Sequence, residues 1–137
     1  MLEEERRILI SLSLEKSDEK FRMAKDIFKS FPNGAVSSAY YSMFHVVHAL
    51  FLEYEIAMRK KRGHRSMTAL FSEKFVHTGI FPAEYSKFLG QMEADRNIGD
   101  YDIEKNFTVE EAGKAIEKAE IFNREVRKLI QEHQEKL

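Results

Sequence analysis

Residues 34–51 read Gly34-Ala35-Val36-Ser37-Ser38-Ala39-Tyr40-Tyr41-Ser42-Met43-Phe44-His45-Val46-Val47-His48-Ala49-Leu50-Phe51 and govern the architecture. Apolar side chains at Ala35, Ala39, Tyr40, Met43, Phe44, Val46, Val47, Leu50 and Phe51 recur at helical spacing but cover more than one stripe. A helix apolar around so much of its circumference must pack on several neighbours at once. The stretch from Gly34 to about Ile56 is therefore the expected central helix.

Moving upstream, Ile10, Leu14, Ser17, Phe21, Ala24, Phe28 and Phe31 alternate steps of four and three, which predicts one amphipathic helix over Leu2 to about Phe31. Phe31-Pro32-Asn33-Gly34 ends it, because proline biases the residue before it out of the helical region, and Asn33 is the expected cap of the next helix. Downstream of the central helix comes Arg59-Lys60-Lys61-Arg62-Gly63-His64-Arg65, a basic cluster around a glycine that reads as a loop. A third helix begins at His64 or Ser66 and runs to His77, presenting Met67, Leu70, Phe71 and Phe75 and stopping at Gly79. Pro82 and Glu84 open a fourth, with Tyr85, Phe88, Leu89, Met92 and Arg96 on one face, fraying near Gly99. Ile98 to Phe107 reads as a loop. Thr108-Val109-Glu110-Glu111 has the Ser/Thr-x-x-Glu form of a capping box and opens a last helix through Ala112, Ile116, Ala119, Phe122 or Asn123, Val126 and Leu129, with a polar, frayed end from Gln131 to Leu137.

Composition agrees with an all-α, up-and-down bundle of about five helices forming a single domain over 1–137. Gly 6 and Pro 2 in 137 residues are too few for the turns of an all-β chain. Lys+Arg 22 against Asp+Glu 23 provides no global attraction for a polyanion, so nucleic-acid affinity requires a local patch. Absence of cysteine fits a reducing compartment and removes thiolate chemistry. No stretch is read as approaching the ~20 apolar residues that span a bilayer, and the expected location is the cytoplasm. Apolar excess on several helical faces makes a homodimer the expected assembly.

Few residues offer chemistry. No Gly-x-Ser-x-Gly turn, phosphate-cradling glycine loop, DNA-specific motif or cofactor signature is present. His45 and His48 share one helical face, yet lack the further ligands a metal requires, so the reading is core or groove histidines and no metal. Arg96 continues the apolar face of its helix, so it must either pair with a carboxylate, such as Asp100 four residues on, or bind an anion. In the pairing alternative Tyr101 packs beneath. Tyr40 and Tyr41 point about 100° apart, which lets one enter the core while the other faces a groove. The cluster Arg59 to Arg65 is either a solvated loop or a phosphate contact.

The order of these pieces resembles the HEPN superfamily, the higher eukaryotes and prokaryotes nucleotide-binding domains. The likeness rests on Ala39-Tyr40-Tyr41-Ser42-Met43-Phe44-His45, Gly63-His64-Arg65, Phe75-Val76-His77-Thr78-Gly79 and Arg96-Asn97-Ile98-Gly99-Asp100-Tyr101, and it spans about residues 5–130. The resemblance implies a helical homodimer, often paired with a minimal nucleotidyltransferase as a toxin–antitoxin couple, that binds RNA or a nucleotide. Many members are metal-independent ribonucleases in which an Arg, often followed by a polar residue, works with a His from which four to six residues separate it. Arg96 and Asn97 match the first half, whereas Tyr101 stands where the first of those histidines belongs. The resemblance thus implies a catalytic set of Arg96, Asn97 and Tyr101, with Tyr40, Tyr41, His45, His64, Arg65 and Asp100 lining the RNA or nucleotide groove. A non-catalytic adaptor is the alternative, with the Arg96–Asp100–Tyr101 cluster purely structural.

Overall fold

The computed structural model describes residues 1–58 and 63–136, with the side chains of 63–66 outside the description. Five α-helices follow one another and no strand occurs among the described residues: α1 Glu3–Ile27, α2 Pro32–Glu53, α3 Gly63–Phe71, α4 Ala83–Tyr101 and α5 Val109–Glu135. A π-helical turn, Ser72–Val76, extends α3. Helix α2 is the hub, packed by α1, α4 and α5. Its residues Ala35, Val36, Ala39, Tyr40, Met43, Val46, Val47, Leu50 and Phe51 are all sealed from solvent. By length and mean hydropathy (1.2) α2 is apolar enough to cross a membrane, which corrects the reading that no stretch approaches this; 67% of that window is buried inside the bundle.

Each end of α2 has a specific cause. Pro32 is its first residue, where a missing N–H costs nothing. Asn33 is therefore not the cap: its side-chain Oδ1 instead accepts from the Phe107 N–H (2.8 Å), tying the α1–α2 turn to the α4–α5 connection. At the other end the chain turns at Tyr54 and Glu55, with Glu55 at φ 55° and the N–H groups of Glu55 and Ile56 returning to Leu52 and Phe51 (3.2 and 2.8 Å). Arg6 of α1, nearly buried, donates to the freed carbonyls of Leu52 and Glu53 (3.1 and 2.9 Å) while Glu3 holds its other side.

Within the bundle Ser17 donates to the Ser42 carbonyl (2.7 Å) and Asn123 donates to the Ser42 hydroxyl (2.9 Å), so α1, α2 and α5 share one polar contact amid apolar packing. Phe71, Phe81, Tyr85 and Phe122 pack ring against ring where the α3 extension meets α4 and α5. Gly79 takes φ 84°, as its position after the third helix predicted. The Thr108 hydroxyl accepts from Glu111 N–H while the Glu111 carboxylate accepts from Thr108 N–H (3.0 Å each).

Several boundaries differ from the sequence expectation: α1 stops at Ile27 rather than about Phe31, and α2 runs over Pro32–Glu53 rather than Gly34 to about Ile56. Helix α3 begins at Gly63, so Gly63 to Arg65 are helical rather than loop. Helix α4 continues through Tyr101, so Ile98 to Tyr101 are helical too. The tail of α5 is helical to Glu135, because His133 Nδ1 (2.6 Å) and Gln134 Nε2 (3.0 Å) meet the buried carboxylate of Glu53 and the His133 ring lies 4.1 Å from that of Tyr54.

Candidate functional site

The α4 face that carries Tyr85, Leu89 and Met92 into the core delivers Arg96 there as well, and its residue is only 5% exposed. A guanidinium drawn from water needs compensation. Here two tyrosine rings supply much of it. Arg96 Cζ lies 5.4 Å from the Tyr40 ring centre and 5.6 Å from that of Tyr41, within cation–π range. The two rings meet edge to face at 5.3 Å, so consecutive residues of α2 form a corner around the cation.

The polar partners are sparse. Asp100 Oδ2 stands 3.8 Å from Arg96 Nη1, an ion pair too long for a hydrogen bond, and it also accepts from the Ser37 hydroxyl at 3.2 Å. Arg96 Nε is buried with no hydrogen-bond partner among the described residues. Among the described residues, five N–H donors in a fixed fork are thus paired with one carboxylate, at arm's length. Burial pushes the Tyr40 phenol well above its ordinary value, with Glu93 acting in the same direction and Arg96 opposing. Glu93 in turn accepts from the Thr68 hydroxyl (3.4 Å) of α3.

Along α2 the aromatic row continues from Tyr41 to Phe44 (6.3 Å) and from Phe44 to His45 (5.3 Å), each edge to face. His45 and His48 are half-buried. Burial first, then Lys16, His48 and Lys20, depress His45 to about 4, and burial lowers His48 as well. His45 is accordingly neutral at pH 7 and able to accept a proton, not to donate one as an acid.

The structure thus brings Tyr40, Tyr41, Arg96 and Asp100 together. His45 joins through Phe44 on the flank that faces the lysines of α1. Asn97 and Tyr101 lie one turn apart on the solvent side of the same helix end, and Tyr101 is 74% exposed, so it does not pack beneath the Arg96–Asp100 pair. The side chains of His64 and Arg65 lie outside the described residues. Sequence reasoning missed Ser37 and Glu93. Ser37 sits four residues before Tyr41 on one face of α2, a signal available to inspection, whereas Glu93 is one of 23 acidic residues and only the packing of α3 on α4 singles it out. Among the described residues no group of three or more His, Asp or Glu side chains converges in a way that holds a metal ion.

The chain matches the HEPN domain family over residues 10–129. It is 30% identical over 118 residues, 85% of this chain and 78% of the relative, to a candidate toxin of Methanocaldococcus jannaschii. A UPF0332 protein of Thermotoga maritima is 35% identical over 100 residues, 73% of this chain and 74% of that one. A second candidate toxin of M. jannaschii is 31% identical over 124 residues, 90% of each chain.

Proposed function

Because the chain belongs to the HEPN family, we propose that it is the toxin-like half of a toxin–antitoxin pair and binds RNA or a nucleotide at the Arg96 end of α4. The observation that carries the reading is the guanidinium itself: nearly buried, flanked by two aromatic rings, with one N–H unpartnered and its nearest carboxylate 3.8 Å away. The terminal nitrogens of a cation so placed retain donors for a phosphate, and phosphate meets guanidinium through two parallel hydrogen bonds where a single distant carboxylate does not. The names of the two M. jannaschii relatives support the toxin-like role.

In this reading Arg96 holds the phosphate, Tyr40 and Tyr41 hold Arg96, and exposed Asn97 and Tyr101 contact the ligand from the rim. Two copies of the chain bring their Arg96 ends to one groove, a minimal nucleotidyltransferase is the partner, and the pair works in the cytoplasm. Binding is favoured over cleavage. A phenol is a poor proton shuttle at pH 7, and His45, lowered to about 4 chiefly by burial, supplies only a weak base. The exposure of Tyr101 suits a hydroxyl that receives a nucleotide from the partner enzyme, an outcome that mass spectrometry after co-expression reads directly.

One observation favours the adaptor alternative, namely that Arg96 is buried deeply enough to serve the fold alone. Fluorescence anisotropy with single-stranded RNA, alongside thermal melts, separates the two. Arg96→Ala is expected to weaken RNA binding by about tenfold or more, the cost of losing a charged hydrogen-bond donor, with Arg96→Lys recovering part of it. Unchanged RNA affinity together with a lowered melting temperature in both variants would leave only the scaffold.

A further inference from the structure

We propose that the groove between α1 and α5 is a second ligand site, roughly opposite Arg96 across α2, which takes a small anion bearing an aromatic amine, of mononucleotide size. Tyr40 and Ser42, two residues apart on α2, point about 200° apart, so the side that meets Arg96 and the side that meets Asn123 are distinct. The inference is independent of what binds at Arg96.

The groove holds about 470 Å³, within the range of small-molecule sites, and Phe21, Asn123, Arg124, Arg127 and Lys128 line it. Asn123 is 7% exposed, and its Oδ1 is buried without any donor among the described residues. The amide's orientation follows from its partners. The Ser42 hydroxyl spends its proton on the Ala39 carbonyl (2.6 Å) and so must accept from Asn123 Nδ2 (2.9 Å), which leaves Oδ1 as the atom in want of an N–H. A buried acceptor in this state is costly, and a ligand that reaches the floor with an N–H removes the cost.

The rest of the lining specifies the remainder of the ligand. Phe21 is a half-buried aromatic surface, with Lys25 5.7 Å from its ring centre. Arg127 is fixed by the Leu14 carbonyl and by Asp18 (2.7 Å each), so its charge is largely spent. Arg124 is 64% exposed, with only a marginal contact to Glu125 (4.0 Å). No salt bridge holds Lys128 among the described residues. With Asp18 and Glu120 as the acidic members, the lining keeps one positive charge in excess. An amino group at the floor, a flat ring against Phe21 and an anionic group at Arg124 and Lys128 satisfy all three features.

Adenosine and inosine monophosphates test this on the full chain, because they share ribose and phosphate and differ at the exocyclic group that Asn123 would receive. In ¹⁵N NMR titrations adenosine monophosphate is expected to shift amides of α1 and α5 around Phe21 and Asn123, with the inosine analogue about tenfold weaker. Asn123→Leu should erase that preference. Lys128→Glu, a surface change that leaves the core intact, should weaken both nucleotides. Shifts confined to the Arg96 end of α4, equal affinity for the two nucleotides, or indifference to Lys128→Glu would each overturn the proposal.

Discussion

Arg96 illustrates how far a single side chain can be read from its neighbours in sequence. Its register with Tyr85, Leu89 and Met92 predicted a cation on a buried face, and that face does carry it inside. The Asp100 carboxylate was legible in i, i+4 reach, whereas the tyrosine corner, which belongs to another helix, and the sharing of that carboxylate with Ser37 were not. His45 yields a prediction of the same kind. Its pKa falls from 6.5 to about 4 on folding, chiefly through burial, with Lys16, His48 and Lys20 adding and Glu19 opposing. Between those values the unfolded chain takes up a proton that the folded chain refuses, so the contribution of His45 is present above pH 6.5 and lost as pH falls towards 4. His45→Gln is therefore expected to flatten the loss of stability over that window by on the order of 1–2 kcal/mol, reduced from the full linkage value because the ring is half exposed. Urea midpoints measured from pH 7 to pH 4 check this. A small slope should persist in the variant, since His48 shifts in the same direction.

Helix starts were more legible than helix ends. Thr108 announces α5 through local chemistry legible in the sequence, whereas Pro32, read there as the end of the first helix, turns out to be the first residue of α2. The end of α2 gave no such sign, because the left-handed position that closes it carries Glu55 where a glycine is usual. Beside the returning N–H groups of Glu55 and Ile56, its last carbonyls are met by Arg6, a residue 46 positions earlier in the chain than the Leu52 it contacts. Glu55→Gly should relieve the strained backbone and raise stability by up to about 1 kcal/mol, a few degrees in melting temperature. A melt in which this variant is less stable than the parent would mean that the Glu55 charge near Arg6 outweighs the backbone term. The tail of α5 makes the same point: Gln131 to Leu137 look polar and frayed until Glu53 and Tyr54 of α2 are set beside them.

The assembled bundle leaves Ile8, Leu9 and Leu12 of α1 between 40% and 53% exposed, more apolar surface than one helix face ordinarily shows to water. If two copies share a groove as proposed, sedimentation equilibrium should return about twice the 16.1 kDa chain mass. Loss of RNA binding on dilution to monomer would follow. A strictly monomeric protein that still binds RNA through Arg96 would remove the shared groove while keeping the site. From residue order alone came the all-α class, the hub role of residues 34–51 and the buried face of α4, because helical periodicity and the balance of apolar and polar residues are local properties that every neighbour merely ratifies. Only three-dimensional packing chose where α2, α4 and α5 stop and which side chains of other helices meet Arg96. It also placed Asn123 with its carbonyl unanswered, since hydrogen-bond partners between helices depend on how side chains far apart in the chain interdigitate, and spacing along one strand of sequence carries no record of that.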